Sequence, residues 1–157
     1  MNKFSFIFIG SFLLLLSIFS FFNIIYSYYF NIFLNVDTYT YTFILTLSLC
    51  LLLFYISKIE FKKTLLYEKI ITVLFGYLFF PLIISLPIYL SIHNISFINC
   101  YFEAVSGFTS TGFTVFDNIK QIDQSLILWR STSQWIGGLY FLFSIILLIS
   151  IFDDNLK

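Results

Sequence analysis

The sequence is poor in charged residues. Only 10% of its 157 residues are Asp, Glu, Lys or Arg, and 60% are hydrophobic, whereas a soluble domain carries about 25% charged residues. The formal net charge is zero, and no basic face or tail is present that would bind nucleic acid. The composition therefore predicts an integral membrane protein whose surroundings are lipid, and we expect no nucleic-acid partner.

Histidine and cysteine are also scarce. Two cysteines, Cys50 and Cys100, make neither a disulfide framework nor a metal site, and we expect both to be buried as small apolar residues. The one histidine, His93, is expected to be solvated at the end of a span, although a sensor in an outer vestibule is an alternative.

The motifs of an intramembrane enzyme are missing as well. The sequence has no His-Glu-x-x-His or Gly-x-Ser-x-Gly motif, which would indicate a metalloprotease or a serine hydrolase. No pair of carboxylates is visible at membrane depth. We therefore expect no enzyme, no catalytic residue and no cofactor.

Uncharged runs divide the chain into four predicted spans of about 20 residues, the length that crosses a bilayer. The first run is too long for the core of a signal peptide and no cleavage site follows it, so we expect a retained helix. A polar loop is predicted from Asn31 to Thr40. The four spans are Phe4 to Tyr29, Thr38 to Ser57, Ile70 to Leu90, and Leu126 to Phe152.

Lysines next to the spans predict the orientation of the chain. Four lysines lie in the segment from Lys58 to Lys69, and Lys3 precedes the first span. The positive-inside bias places both in the cytoplasm, so we expect a protein of the cytoplasmic membrane with both termini inside. The polar link from Asp117 to Ser125 is then outside.

Several residues within the spans carry local expectations. Pro81 and Pro87 would kink or loosen the third span because proline removes backbone donors. Trp129 and Trp135 are expected near the outer membrane interface, where such side chains are enriched. The pair Gly137-Gly138 predicts a point of close packing or bending.

One stretch departs from the apolar composition. Seven of the nine residues from Ser106 to Thr114 are Ser, Thr or Gly. They follow a short predicted helix from Ser96 to Ser106, with Ser96 as N-cap and Gly107 as C-cap. At ~1.5 Å per residue this helix spans about half of a ~30 Å hydrocarbon core. The pattern predicts a re-entrant loop, although a loop outside the membrane fits the composition equally well.

A re-entrant loop of this composition is suited to binding cations. Irregular backbone is tolerated at membrane depth only where it lines a cavity or is buried in protein, and cation filters point its carbonyl oxygens at a dehydrated ion. The C-terminus of the short helix supplies the negative end of a dipole. Gly112 allows positive φ, and hydroxyl oxygens come from Thr109, Ser110, Thr111 and Thr114.

Two segments resemble the Trk/Ktr/HKT potassium-transporter superfamily. FEAVSGFTSTGFTV, from Phe102 to Val115, is similar to its first pore loop, and LWRSTSQWIGG, from Leu128 to Gly138, is similar to the start of the following helix. The Trp-Arg, Gln-Trp and Gly-Gly pairs stand at family spacing. The resemblance covers Pro81 to Ile151, whereas the first two spans match only in position and hydropathy.

The resemblance implies an all-α integral membrane protein with four transmembrane helices, one re-entrant pore helix and a filter loop. Residues 1–69 would hold two transmembrane helices and a cytoplasmic loop, and residues 70–157 a helix–P-loop–helix pore repeat. The family's pore contains four such repeats, so this one would supply a quarter of the filter. We therefore expect an N-terminal portion, with further repeats from the same gene or from other chains.

The resemblance also implies the transported ion and the residues around it. The ion is K⁺, and Gly112 corresponds to the family's filter glycine, while Phe113 stands where many relatives carry a small residue. A cytoplasmic nucleotide-binding regulatory subunit is a further expected partner. One wall of the K⁺ filter would consist of Thr109, Ser110, Thr111, Gly112 and Phe113.

Glu103, Gly107 and Arg130 are the predicted support of this filter. Ionisable groups at membrane depth are costly and usually paired, so we expect Glu103 to pair with Arg130, unless both extend to the outer interface. A non-conducting membrane scaffold, or a degenerate remnant of such a transporter, has the same hydropathy without requiring Gly112. Na⁺ is an alternative to K⁺ as the selected ion.

Overall fold

The computed structural model describes residues 3–57, 66–92, 95–118 and 122–155, and every regular element in those ranges is an α-helix. Four of the five helices, all except α4, are long and apolar enough to cross a membrane. The predicted all-α architecture with four candidate spans is therefore confirmed. Residues 58–65 of the predicted cytoplasmic loop, and His93, lie outside the described ranges. The helices are α1 (Lys3–Tyr29), α2 (Phe33–Ser57), α3 (Leu66–Ser91), α4 (Phe97–Phe108) and α5 (Gln124–Asn155).

The link between α1 and α2 is much shorter than the sequence predicted. The expected loop from Asn31 to Thr40 is wrong because α2 already begins at Phe33. Asn31 turns the chain with φ of 58°, a conformation that asparagine tolerates better than most residues. Among the polar residues after it, the buried Asn35 has its partner on α5, since its side chain donates to Ser125 Oγ at 2.6 Å.

Both prolines of α3 lie inside the helix, as predicted. A proline leaves the carbonyl of the residue four positions earlier without its helical donor. Side chains of α4 and α5 donate to three other carbonyls of α3, which the prolines do not free, and thereby tie α3 to both helices. Tyr101 Oη donates to Leu78 O (3.2 Å), Trp129 Nε1 to Ile84 O (3.0 Å), and Tyr140 Oη to Val73 O (2.9 Å).

The two tryptophans of α5 have different surroundings. Trp129 is 1% exposed and its ring packs against Tyr39 with centroids 5.5 Å apart, so its side chain faces the protein interior. Its place at the depth of the membrane interface stays a prediction. Its indole N–H has a partner in the interior, because it donates to Ile84 O of α3, as buried tryptophans usually require. Trp135 is 62% exposed. Cys50 and Cys100 are both buried and free, as expected.

An aromatic cluster centred on Tyr140 joins four helices. Its ring lies 4.9 Å from Phe12 of α1 and 5.0 Å from Tyr77 of α3. Phe80 of α3 and Phe108 of α4 follow at 5.3 Å each. Aromatic pairs at these distances contribute about 0.5–1.5 kcal/mol beyond the burial of their area. Because Phe108 is the last residue of α4, the cluster fixes the point where the Ser/Thr/Gly stretch leaves that helix.

Candidate functional site

The short helix α4 positions the candidate site. It has 12 residues, which is about 18 Å of helix and too short for a ~30 Å hydrocarbon core. Ser96 caps its N-terminus as predicted, since its hydroxyl accepts from Asn99 N. Gly107 is not the C-cap, because the helix continues to Phe108 and Thr109 occupies that position.

Glycines instead allow α4 and α5 to approach closely. A Cβ on Gly107 would overlap Ser133 Oγ, and one on Gly137 would overlap the carbonyl group of Phe108 and lie 2.8 Å from its Cα. Gly138 faces open space, with nothing within 4 Å of such a Cβ. The predicted close-packing role of the Gly-Gly pair therefore falls to Gly137.

The hydroxyl-rich loop, which we define as Thr109 to Val115, begins with a tight turn. The carbonyl of Ser106 accepts from Thr111 N at 3.0 Å and from Gly112 N at 3.4 Å. Gly112 has φ of 84°, the positive value predicted for it. Ser110 also has positive φ, at 54°, and no sequence signal pointed to this residue because serine seldom adopts that conformation.

Side-chain hydroxyl groups hold the hydroxyl-rich loop through hydrogen bonds. Ser106 Oγ donates to Phe113 O at 2.6 Å, and the hydroxyls of Thr109 and Thr111 lie 2.7 Å apart. All residues from Thr109 to Thr114 are exposed. Within the described part of the chain, no hydrogen bond reaches the carbonyl oxygens of residues 109–112. Four successive carbonyl groups are therefore available to a ligand.

Glu103 and Arg130 form an ion pair, as predicted. Glu103 is buried, with 3% of the residue exposed. Its Oε1 faces Arg130 Nη2, while Oε2 accepts from Thr114 Oγ1 at 3.1 Å and from Val115 N at 2.9 Å. One carboxylate thus ties α4, the end of the hydroxyl-rich loop and α5 together.

Arg130 has a second contact at the loop. Its guanidinium carbon lies 5.8 Å from the centre of the Phe116 ring, within the range of a cation–π interaction. The predicted support residues therefore do meet at the loop, Glu103 and Arg130 through charge and Gly107 through close packing. The contacts of Glu103 with Thr114 and Val115 were missed, since nothing in the sequence indicates where an irregular segment folds back.

Ser106→Ala tests how firmly the loop is anchored. Loss of the hydrogen bond to Phe113 O should destabilise the protein by about 1 kcal/mol and speed amide hydrogen exchange in the hydroxyl-rich loop. The matched control is Ser131→Ala, because this exposed hydroxyl donates only to Ile127 O of its own helix. Equal exchange rates in the two variants would show that the Ser106 bond does not hold the loop.

Three curated proteins are similar to this chain over part of its length. An uncharacterised cation transporter of Methanocaldococcus jannaschii is 41% identical over 54 residues, 34% of this chain and 11% of that protein. The Trk system potassium uptake protein TrkI of Halomonas elongata is 42% identical over 55 residues, 35% of this chain and 11% of that protein. The Trk system potassium uptake protein TrkG of Escherichia coli is 38% identical over 71 residues, 45% of this chain and 14% of that protein.

A segment covering 35–45% of the chain is thus similar to Trk potassium uptake proteins. No family model and no solved structure matches it. The Trk-like segment spans only 11–14% of the length of these relatives, whose names are those of transporters rather than enzymes. Together with the four apolar helices, the similarity identifies a multi-pass membrane protein.

Proposed function

We propose that the Trk-like chain forms part of a pathway for potassium ions across the cytoplasmic membrane. In this proposal the hydroxyl-rich loop is re-entrant and supplies one quarter of a selectivity filter. The observation that carries the proposal is the exposed loop at the end of a half-length helix, with the carbonyls of residues 109–112 free of hydrogen bonds within the described chain. The potassium uptake proteins TrkI and TrkG among the relatives support the choice of ion.

The loop has the chemistry that a dehydrated K⁺ needs. Carbonyl oxygens replace the hydration shell of the ion, and the C-terminal end of α4 adds the negative end of its dipole. The Phe113 carbonyl already accepts from Ser106 Oγ, but a carbonyl oxygen has two lone pairs and can still face an ion. Further repeats, from the same gene or other chains, would supply the remaining walls.

The residues behind the loop would keep this wall in place. Filters must hold their oxygens at fixed positions, and the buried pair of Glu103 and Arg130 fixes the end of the loop through Thr114 and Val115. Close packing at Gly107 fixes its start. Both termini would lie in the cytoplasm, where a nucleotide-binding regulatory subunit is the partner that we propose.

Potassium uptake in cells without their own potassium transporters tests the proposal. We expect K⁺ uptake in cells that express the chain together with the further repeats that complete the filter. Gly112→Val should reduce this uptake at least about tenfold, because a β-branched residue at this φ is strained. Gly112→Asn should retain part of the uptake, since asparagine tolerates positive φ. Na⁺ competition in the same assay measures selectivity.

Gly138→Ala is the control variant for this assay, because an added methyl group there meets nothing. Uptake that is insensitive to Gly112→Val would place the loop outside the ion pathway. If the wild-type chain and the further repeats insert into the membrane together without any uptake, the proposal is contradicted and a non-conducting scaffold is favoured.

A further inference from the structure

We propose that Asn35 of α2 is a positioning residue for the hydroxyl-rich loop. The resemblance to potassium transporters matches the first two spans only in position and hydropathy, so it gives them no task. Asn35 fixes the start of α5 and thereby aims Arg130 at Glu103, whose carboxylate holds the end of the loop. The consequence for ion selectivity rests on the proposed function, whereas the effect on the loop itself does not.

Asn35 is completely buried and bonds to the segment where α5 begins. The residue is 0% exposed, and its Nδ2 donates to Ser125 Oγ at 2.6 Å and to Asp123 Oδ2 at 3.3 Å. An amide nitrogen carries two hydrogens, so both bonds can form together. Asp123 stands directly before α5, and its carbonyl accepts from Leu126 N at 3.0 Å. One side chain of α2 therefore holds both the end of the polar link and the first turn of α5.

A second contact between α2 and α5 lies about one helical turn further along both helices. The Tyr39 and Trp129 rings have centroids 5.5 Å apart, and both residues are buried. Residues four apart lie on one face of a helix, so Ser125 and Trp129 turn the same face of α5 towards α2. Two contacts on one face fix the rotation of α5 about its own axis.

The rotation of α5 sets the direction of Arg130. This residue follows Trp129 directly and is turned from it by about 100° around the helix axis, towards α4, where it pairs with Glu103. Glu103 Oε2 in turn accepts from Val115 N at 2.9 Å and from Thr114 Oγ1 at 3.1 Å. A change in the rotation of α5 would therefore withdraw Arg130 from the carboxylate that holds the loop.

A cavity lies between the two anchored segments. It has a volume of about 450 Å³, and its lining includes Val115, which Glu103 holds, and Asp123, which Asn35 holds. A void supplies no packing contacts to the groups that line it. The hydrogen bonds of Glu103 and Asn35 therefore matter more than packing for the distance between the end of the loop and the start of α5.

Amide hydrogen exchange of the full chain in lipid nanodiscs tests this role. Asn35→Leu keeps a side chain of similar size and removes both hydrogen bonds, so we expect exchange in residues 109–115 to rise at least about threefold. Ser5→Ala is the matched control, because it also removes a buried hydrogen bond between two helices, from Ser5 to Thr72 of α3. Thr72 lies about five helical turns before Ser91, which lines the cavity. Equal exchange of the loop in the two variants would overturn the proposal.

A double variant tests whether Asn35 acts through the ion pair. Among the described residues no hydrogen bond joins Asn35 to Glu103. Glu103→Gln already breaks the ion pair, so adding Asn35→Leu should raise exchange of the loop by less than about 1.5-fold. A rise equal to the product of the two single effects would mean that Asn35 acts by another route, and the proposal would be overturned.

Ser125→Ala replaces Asn35→Leu if that variant does not fold, because it removes the shorter of the two hydrogen bonds of Asn35. The same rise in exchange of the loop is expected, with the same Ser5→Ala control. Exchange at the wild-type rate would overturn the proposal.

Ion selectivity is the readout that a purely structural role would not change. In cells that express the chain together with the further repeats, Asn35→Leu should lower the ratio of K⁺ to Na⁺ uptake at least about threefold at equal amounts of inserted protein. Ser5→Ala should leave this ratio unchanged. An unchanged ratio in Asn35→Leu would overturn the proposal. A wild type without uptake would instead count against the proposed function, and the exchange rates would still decide the role of Asn35.

Discussion

Replacing Gly137 with alanine should destabilise the protein by about 3 kcal/mol or more, at or above the upper end of typical overpacking costs. The new methyl group would overlap the Phe108 carbonyl group and lie 2.8 Å from Phe108 Cα. These are backbone atoms at the end of α4, so no side-chain rotation relieves the overlap. The helices would have to separate, which would also disturb the aromatic contact between Phe108 and Tyr140.

Gly138→Ala is the matched control for this prediction. It makes the same chemical change one residue later, where nothing lies within 4 Å of the added methyl group. Alanine is also the better helix former by about 1 kcal/mol in water, so this variant should be neutral or slightly stabilised. Thermal unfolding in detergent, followed by helical circular dichroism, compares the two. Equal Tm values would mean that α4 does not pack against α5 as closely as described.

The helical framework could be predicted from the sequence because the bilayer imposes simple requirements. Uncharged runs of sufficient length must become helices, since no other open structure satisfies its backbone in lipid. Ser96 likewise predicted the start of α4, because capping is a local interaction. The start of α2 was not predictable in this way: Asn35 looks like a loop residue until Ser125, 90 residues later, supplies its partner.

The candidate site shows the same division between local and distant causes. The positive φ of Gly112 was predicted because only glycine adopts it at little cost. The positive φ of Ser110 and the bond from Ser106 to Phe113 arise from the fold of the turn itself. Trp129 was predicted near the membrane interface because tryptophan side chains are enriched there. In the structure a carbonyl of α3 accepts a hydrogen bond from its indole in the protein interior.

Arg130→Gln should be the more damaging of two substitutions in the buried ion pair. It would leave the Glu103 carboxylate, whose side chain is 1% exposed, without its counter-charge. Removing one partner of a buried pair costs about 3–5 kcal/mol, and we expect a loss in this range. Glu103→Gln should cost less, because the Arg130 side chain is 14% exposed and a glutamine oxygen can still accept from Val115 N.

The double variant decides whether the two residues act as a pair. Once Glu103 is neutral, Arg130→Gln no longer strands a charge, so the double variant should be scarcely less stable than Glu103→Gln alone. This non-additivity is the signature of a direct interaction, and unfolding measurements on all four proteins determine it. Losses that simply add would mean that the residues act independently. In that case Glu103 would hold Thr114 and Val115 without help from Arg130.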